Sequence, residues 1–194
     1  LKQSLSHIEE IMSTAFAPNL SHVGVACFDI DRMIQFYTSV FGLHVTDKGP
    51  GFTFPFMLAF LSSSPDQHHQ LAFSQNRPAG AVSTVMQLSF KVDTLDNLRE
   101  ARRRALNDGA TKMRGLNHGN ALSIYFMDPE ENLVEVYLDT PWYVAQPHGD
   151  PLDLDDSDAD IWAQTEKVVK ADPTYQPVEE WSKDFVKKLK QTAR

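Results

Sequence analysis

Two stretches of the chain, 65 residues apart, follow one plan. The first runs Ser21-His22-Val23-Gly24-Val25-Ala26-Cys27-Phe28-Asp29-Ile30-Asp31-Arg32-Met33, and the second runs from Met86 through Gln87-Leu88-Ser89-Phe90-Lys91-Val92-Asp93 to Leu98. Each reads as a short strand, a turn and a helix start. An internal repeat of this kind means one supersecondary unit used twice, with a core or a site between the copies. The duplication sets His22 of one copy opposite Gln87 of the other.

The two units extend in parallel. In the first, a strand over 20–28 leads to a helix over 31–41, capped by Asp29 or Asp31 and stopped at Gly42. Strands follow at 43–47 and near 52–62 and 68–75. In the second, a strand over 85–92 leads to a helix over 94–107, then to strands near 111–115, 121–127 and 132–138. The fold class expected is α+β: two βαβββ modules over 18–140, forming a curved mixed sheet around a trough. A helix covers one face of each four-stranded unit, so the other face must find a lid.

Helical extensions flank this body. Residues 1–17 hold an amphipathic helix with Leu5, Ile8, Ile11, Met12 and Ala15 on one face. Residues 141–194 form a loop and helical arm, with one helix capped at Asp156 or Ser157 and a last one opened by Pro177. Six aspartates between Asp150 and Asp160 are not a calcium loop, because Ile161 stands where a glycine is needed and Lys167 where the closing glutamate belongs.

Charge narrows the function. A net charge of −8 disfavours nucleic acid, and the run Arg99 to Arg104 reads as a solvated helix face. No apolar stretch nears the roughly 20 residues that span a bilayer, and residues 1–17 lack a signal-peptide core. The lone Cys27, on an apolar strand, reads as a buried inert thiol in a reducing cytoplasm.

Strand alternation points to the chemistry. Val23, Val25 and Cys27 share one face of the first strand, and His22, Gly24 and Ala26 the other. In the second unit, Leu88, Phe90 and Val92 turn to the core, and Gln87, Ser89 and Lys91 to the trough. On the last strand, Glu135 opposes the face of Val134, Val136 and Leu138. A carboxylate there is costly unless it is paired or bound to metal; a buried ion pair is the competing account. His68 and His69 point to opposite sides of a strand, so at most one serves the site. Two imidazoles and a carboxylate suit Fe, Mn, Zn or Ni. Glutamine oxygen is a weaker ligand, and a hydrogen-bonding role for Gln87 stands beside a ligand role.

Three segments then resemble a known family: Leu-Ser-His-Val-Gly-Val (20–25), Phe-Tyr-x-x-Val-Phe-Gly-Leu (36–43) and Ser-Ile-Tyr-Phe-x-Asp-Pro-Glu-x-Asn-Leu-Val-Glu-Val (123–136) are similar to the vicinal oxygen chelate superfamily. That superfamily includes glyoxalase I, bleomycin-resistance proteins and type I extradiol dioxygenases, built as paired βαβββ modules around a metal trough. Within it, His-His-Gln-Leu-Ala-Phe (68–73) and Asp-Thr-Pro-Trp-Tyr-Val (139–144) resemble the small extradiol enzymes of the dihydroxybiphenyl type.

The resemblance implies roles. His22 matches the first metal histidine, Glu135 the metal carboxylate, His69 the histidine that moves protons, and Tyr125 the tyrosine that bonds a substrate oxygen. His118 lies in the adjoining loop, near where substrate contacts occur. Gln87 departs from the pattern, standing where an extradiol enzyme has its second metal histidine. Glyoxalase-type members draw four ligands from such positions, some with glutamine among them. Separations of 47, 18 and 48 residues between His22, His69, Gln87 and Glu135 suit that arrangement too.

The function expected is an Fe(II)-dependent extradiol dioxygenase acting on a catecholic aromatic and O2, a homodimer without membrane or nucleic-acid partners. Phe54, Phe56, Phe73, Tyr125 and Trp142 are candidate apolar walls. The alternatives are a glyoxalase-type isomerase or epimerase using Zn, Ni or Mn, and a protein that sequesters an aromatic ligand without metal.

Overall fold

A computed structural model describes residues 18–78 and 80–192. The first module runs β1 (Val23–Ala26), α1 (Ile30–Phe41), β2 (His44–Pro50), β3 (Met57–Ser62) and β4 (Leu71–Ser74). The second runs β5 (Leu88–Lys91), α2 (Leu95–Asn107), β6 (Thr111–Asn117), β7 (Ala121–Met127) and β8 (Leu133–Asp139). Sheet order is β1-β4-β3-β2 in one and β6-β7-β8-β5 in the other. In both, the first strand pairs in parallel with the last, Val23 opposite Leu71 and Leu88 opposite Val134. The fold is α+β with mixed sheets, and the repeat in the sequence is a repeat in topology.

Local chemistry sets the helices. Asp29 accepts a hydrogen bond from the Arg32 N–H and so caps α1, and Gly42, at φ +67°, ends it with its N–H on the Thr38 carbonyl. Ile30, Met33, Phe36, Tyr37 and Val40 form the buried face. Thr94 caps α2, which buries Leu95, Leu98, Ala101 and Ala105.

One core serves both modules. Phe41 stacks on Phe90 at 3.9 Å, and Tyr37 packs against Phe73 and Phe90. Polar ties cross the seam: Glu130, in the β7–β8 turn, accepts from the Phe28 and Asp29 N–H groups at 2.7–2.9 Å, and the Tyr37 hydroxyl donates to Asp128 at 3.0 Å. Cys27 is fully buried, and burial, then the nearby Glu130 charge, pushes its thiol up to about 12.

The arm comprises β9 (Trp142–Tyr143), β10 (Asp150–Pro151), α3 (Asp158–Ala171, capped by Ser157), β11 (Gln176–Pro177) and α4 (Val178–Thr192). Strand β10 adds to the edge of β6.

Three expectations differ from what is found or fall outside it. The strand expected from residue 52 begins at Met57, because Gly51 folds back against the Phe54 backbone and Pro55 follows. The arginine run is not simply solvated. Arg99 binds the Leu154 and Asp156 carbonyls and Asp158, and Arg102 pairs with Asp155. The acidic arm docks on α2 through these contacts. The amphipathic helix expected in residues 1–17 lies outside the described residues. Among the described residues, no helix is long and apolar enough to cross a membrane.

Candidate active site

The second module builds a connected polar chain on the face away from its helix. On β8, Val134, Val136 and Leu138 enter the core, which turns Glu135 to the other side. Ser89 on β5 and Tyr125 on β7 lie directly opposite Glu135, and Gln87, two residues from Ser89, shares its side. Glu135 Oε2 accepts from Gln87 Nε2 and from Ser89 Oγ, each at 2.7 Å, while Oε1 accepts from the Tyr125 hydroxyl at 2.5 Å. Three donors therefore meet the charged form of a carboxylate that is only 8% exposed. Burial, then the Glu135 hydrogen bond, holds the Tyr125 phenol well above its ordinary value, so it stays protonated.

His118 continues the chain. Its Nε2 lies 2.8 Å from the Tyr125 hydroxyl, and its Nδ1 lies 2.8 Å from the His148 carbonyl. A carbonyl only accepts, so the geometry assigns the ring hydrogen to Nδ1. In the neutral ring Nε2 is then an acceptor, and the one phenolic hydrogen of Tyr125 faces two acceptors. A hydroxyl so placed can pass a proton between imidazole and carboxylate. Arg114, opposite Tyr125 on β6, holds its guanidinium over the same ring at 5.2 Å.

The first module contributes a pair of imidazoles. Parallel pairing of β1 with β4 draws together the residues just ahead of each strand, and the His22 and His69 rings stand 4.3 Å apart. Partial burial, then His22 and His68, lowers His69 from the ordinary histidine value. His68 reaches Asp47 through Nε2 at 2.7 Å, and its Nδ1 lies 3.0 Å from His69 Nδ1. The two neighbours touch each other instead of standing on opposite sides of a strand, and one of them packs on His22. Which one was not legible, because the run is irregular backbone ahead of β4.

Strands β1 and β5 are the facing edges of the two sheets, and a cleft of about 780 Å³ opens between them. His22 lines one wall; Gln87 and Ser89 line the other. Its apolar surface includes Phe41 and Phe90, not the aromatics expected from sequence. Phe73 is wholly in the core, Phe54 and Phe56 stack on each other in the β2–β3 loop, Trp142 packs on Trp162, and Tyr125 is buried beside Glu135 outside the lining. Such a volume lies within the usual range for small-molecule sites.

The chain thus joins Gln87, Glu135, Tyr125 and His118, and leaves His22 and His69 as a separate pair. Among the described residues, no group of three or more His, Cys, Asp or Glu side chains gathers where one cation would sit. Two participants had escaped the sequence reading. Arg114 becomes visible only once the β6–β7 register is known. His148 acts through its backbone carbonyl, for which residue type carries no signal.

The profile of the Glyoxalase/Bleomycin resistance protein/Dioxygenase superfamily matches residues 19–136. The chain belongs to this superfamily. Within it, the chain is 27% identical to biphenyl-2,3-diol 1,2-dioxygenase 3 of Rhodococcus globerulus over 128 residues, which cover 63% of this chain and 64% of that protein. The match spans less than two thirds of that relative's length. Superfamily structures share the fold: a glyoxylase/bleomycin resistance protein/dioxygenase domain from Frankia sp. EAN1pec superposes with a TM-score of 0.54 at 18% identity, covering 64% of this chain and 93% of that one. The fosfomycin resistance protein FosX of Listeria monocytogenes, in complex with Mn(II) and sulfate, gives 0.51 at 17% identity, covering 64% and 95%.

Proposed function

We propose that this chain is a metal-dependent, extradiol-type ring-cleaving dioxygenase of catecholic aromatics, using Fe(II) and O2 and working as a homodimer. The observation that carries the reading is the Glu135–Tyr125–His118 chain, with a carboxylate at one end and a phenol–imidazole pair at the other. The name of the Rhodococcus relative, which specifies an aromatic vicinal diol, supports the substrate class. Exposed Leu20 on the cleft wall and Met86 beside Gln87 support a partner subunit there.

The donor types present fit a divalent cation: the Glu135 carboxylate and the Gln87 amide oxygen on the second module and the His22 and His69 imidazoles on the first, of which His22 and Gln87 line the cleft. His22 and Glu135 would hold it, with Gln87 offering its oxygen. When bound, such a metal supplies Lewis acidity toward vicinal oxygens and one-electron chemistry with O2. The protein's own groups do the rest. Tyr125 hydrogen-bonds a substrate oxygen, His118 exchanges a proton with Tyr125, and His69 moves protons from the first module.

One observation favours a second reading. Gln87 stands in place of an imidazole and gives its NH2 group to Glu135, which suits the four-ligand isomerase or epimerase arrangement. The test is oxygen uptake after anaerobic Fe(II) reconstitution, across substituted catechols. Uptake matched by a yellow ring-opened product, and lost in His69→Ala, supports ring cleavage. No uptake with tightly held Zn or Ni supports the isomerase, and ligand binding undiminished by chelator supports a metal-free binding protein.

A further inference from the structure

The loop that carries His118 is held from outside both modules. Asn117, just before it, is buried and donates through Nδ2 to Thr165 Oγ1 on α3 at 2.9 Å, and its Oδ1 accepts the Gly119 N–H at 2.8 Å. Thr165 is itself fixed, because its hydroxyl donates to the Ile161 carbonyl at 2.7 Å and is fully buried. Gln146 Nε2 donates to the His118 carbonyl at 2.9 Å and reaches Asn120 Oδ1 at 3.2 Å. Thr140 Oγ1 donates to the Gly119 carbonyl at 2.6 Å. Gly119, at φ +74°, lies so close to the arm that a Cβ there would meet Val144 Cγ2 at 2.5 Å.

The carbonyl that receives the Nδ1 hydrogen is also anchored. The His148 ring is mostly buried between two carboxylates, with Asp172 at 3.5 Å from Nδ1 and Asp150 at 3.1 Å from Nε2, the latter close but off the hydrogen-bonding direction. Pairing of Asp150 with Asn117 ties the same segment to β6. Neither module alone supplies a partner for Nδ1. The arm does.

We propose that the C-terminal arm holds His118 in the Nδ1–H tautomer and within reach of Tyr125, with Thr165 and Gln146 as positioning residues. The inference rests on the reading that His118 passes a proton in the reaction. Thr165 fixes the Asn117 side chain, Asn117 shapes the turn, and Gln146 pins the His118 backbone, so the imidazole meets the His148 carbonyl and Tyr125 together. Loosening either support frees the ring to exchange tautomers and lengthens its path to Tyr125.

The test compares Thr165→Val, which keeps shape but loses the hydroxyl, with Thr165→Ser, which keeps the hydroxyl. Gln146→Glu, at an exposed position, keeps shape but loses the donor and stays informative if Thr165→Val fails to fold. Long-range ¹H–¹⁵N spectra of the His118 ring, assigned by its loss in His118→Asn, report the tautomer without turnover. Wild type and Thr165→Ser are expected to show Nδ1–H alone, and Thr165→Val and Gln146→Glu a mixture. With a turned-over catechol, kcat should fall about tenfold in both while KM stays within about twofold, as for a misplaced proton-transfer group. An unchanged His118 spectrum in either folded loss variant, or a mixed tautomer already in wild type, overturns the proposal. If no catechol is turned over, the ring-cleavage reading fails and the spectra still decide this one.

Discussion

The two modules share topology, yet they organise their polar residues very differently. In the second, the carboxylate, its three donors and His118 form one continuous network over a buried face. In the first, His22 and His69 touch only through their rings, Gly24 and Ala26 beside them are exposed, and strand β2 is exposed over nearly its whole length. The difference follows from what covers each edge. Strand β6 receives β10 and the arm, whereas β2, its counterpart, ends its sheet with no further strand among the described residues. Duplication supplies the frame, and the unduplicated arm makes one copy rigid.

The largest effect should come from breaking the organised wall. Glu135→Ala removes the acceptor shared by Gln87, Ser89 and Tyr125 and should abolish metal uptake and lower turnover by more than about 100-fold. His22→Ala should also abolish metal uptake but leave the His118 spectrum as in wild type, because no bond of the second network reaches it. Metal content by elemental analysis together with that spectrum checks the pair. Stoichiometric metal retained in both variants would remove these residues from the site, and a His118 change in His22→Ala would mean the walls are not independent.

A middle-sized effect should appear where the modules are tied. Glu130 and Arg77 are each 6% exposed at the side chain, and Glu130 meets two backbone N–H groups of the first module. Glu130→Ala strands those donors and the Arg77 charge, so unfolding free energy should drop by about 3 kcal/mol. Urea titration measures it. A drop under about 1 kcal/mol would show that the aromatic core alone joins the modules. Arg99→Ala, at a partly exposed contact between α2 and the arm, should cost about 1 kcal/mol. A larger loss there would make the arm part of the folding core.

Much of this frame was readable beforehand, and the reasons for the remainder are physical. Helix signals are local: Asp29 and Gly42 sit at the ends of α1 as capping chemistry requires. Alternation correctly put Glu135 and Ser89 on one face and Val134 and Leu88 on the other, since the period of a strand is fixed. Tertiary partners are another matter. The salt bridges of Arg99 and Arg102 to Asp158 and Asp155 join residues more than 50 positions apart, and composition alone describes the arginine run as a solvated face. The same holds for Arg114, whose ring partner is set by register.

The smallest effect on turnover is expected at the part of the first module that is closed. Its cleft face is open, but its helix-facing side buries Val25, Cys27 and Phe73 as completely as the second module buries Val134 and Val136. Cys27 reports on that side. Burial and the Glu130 charge raise its thiol from 9.0 to about 12, so the thiolate is scarce at neutral pH. Three units should slow alkylation about a thousandfold relative to a free cysteine, before any steric protection is added. The sign for stability follows: the folded value lies above the unfolded one, so the neutral thiol's contribution is intact below pH 9 and is lost as pH rises toward 12. Iodoacetamide labelling at pH 8, with and without urea, reads the rate directly. Labelling of the native protein at the free-thiol rate would mean that the first module is loose on both faces, and the contrast between the modules would then extend from the cleft wall into the core.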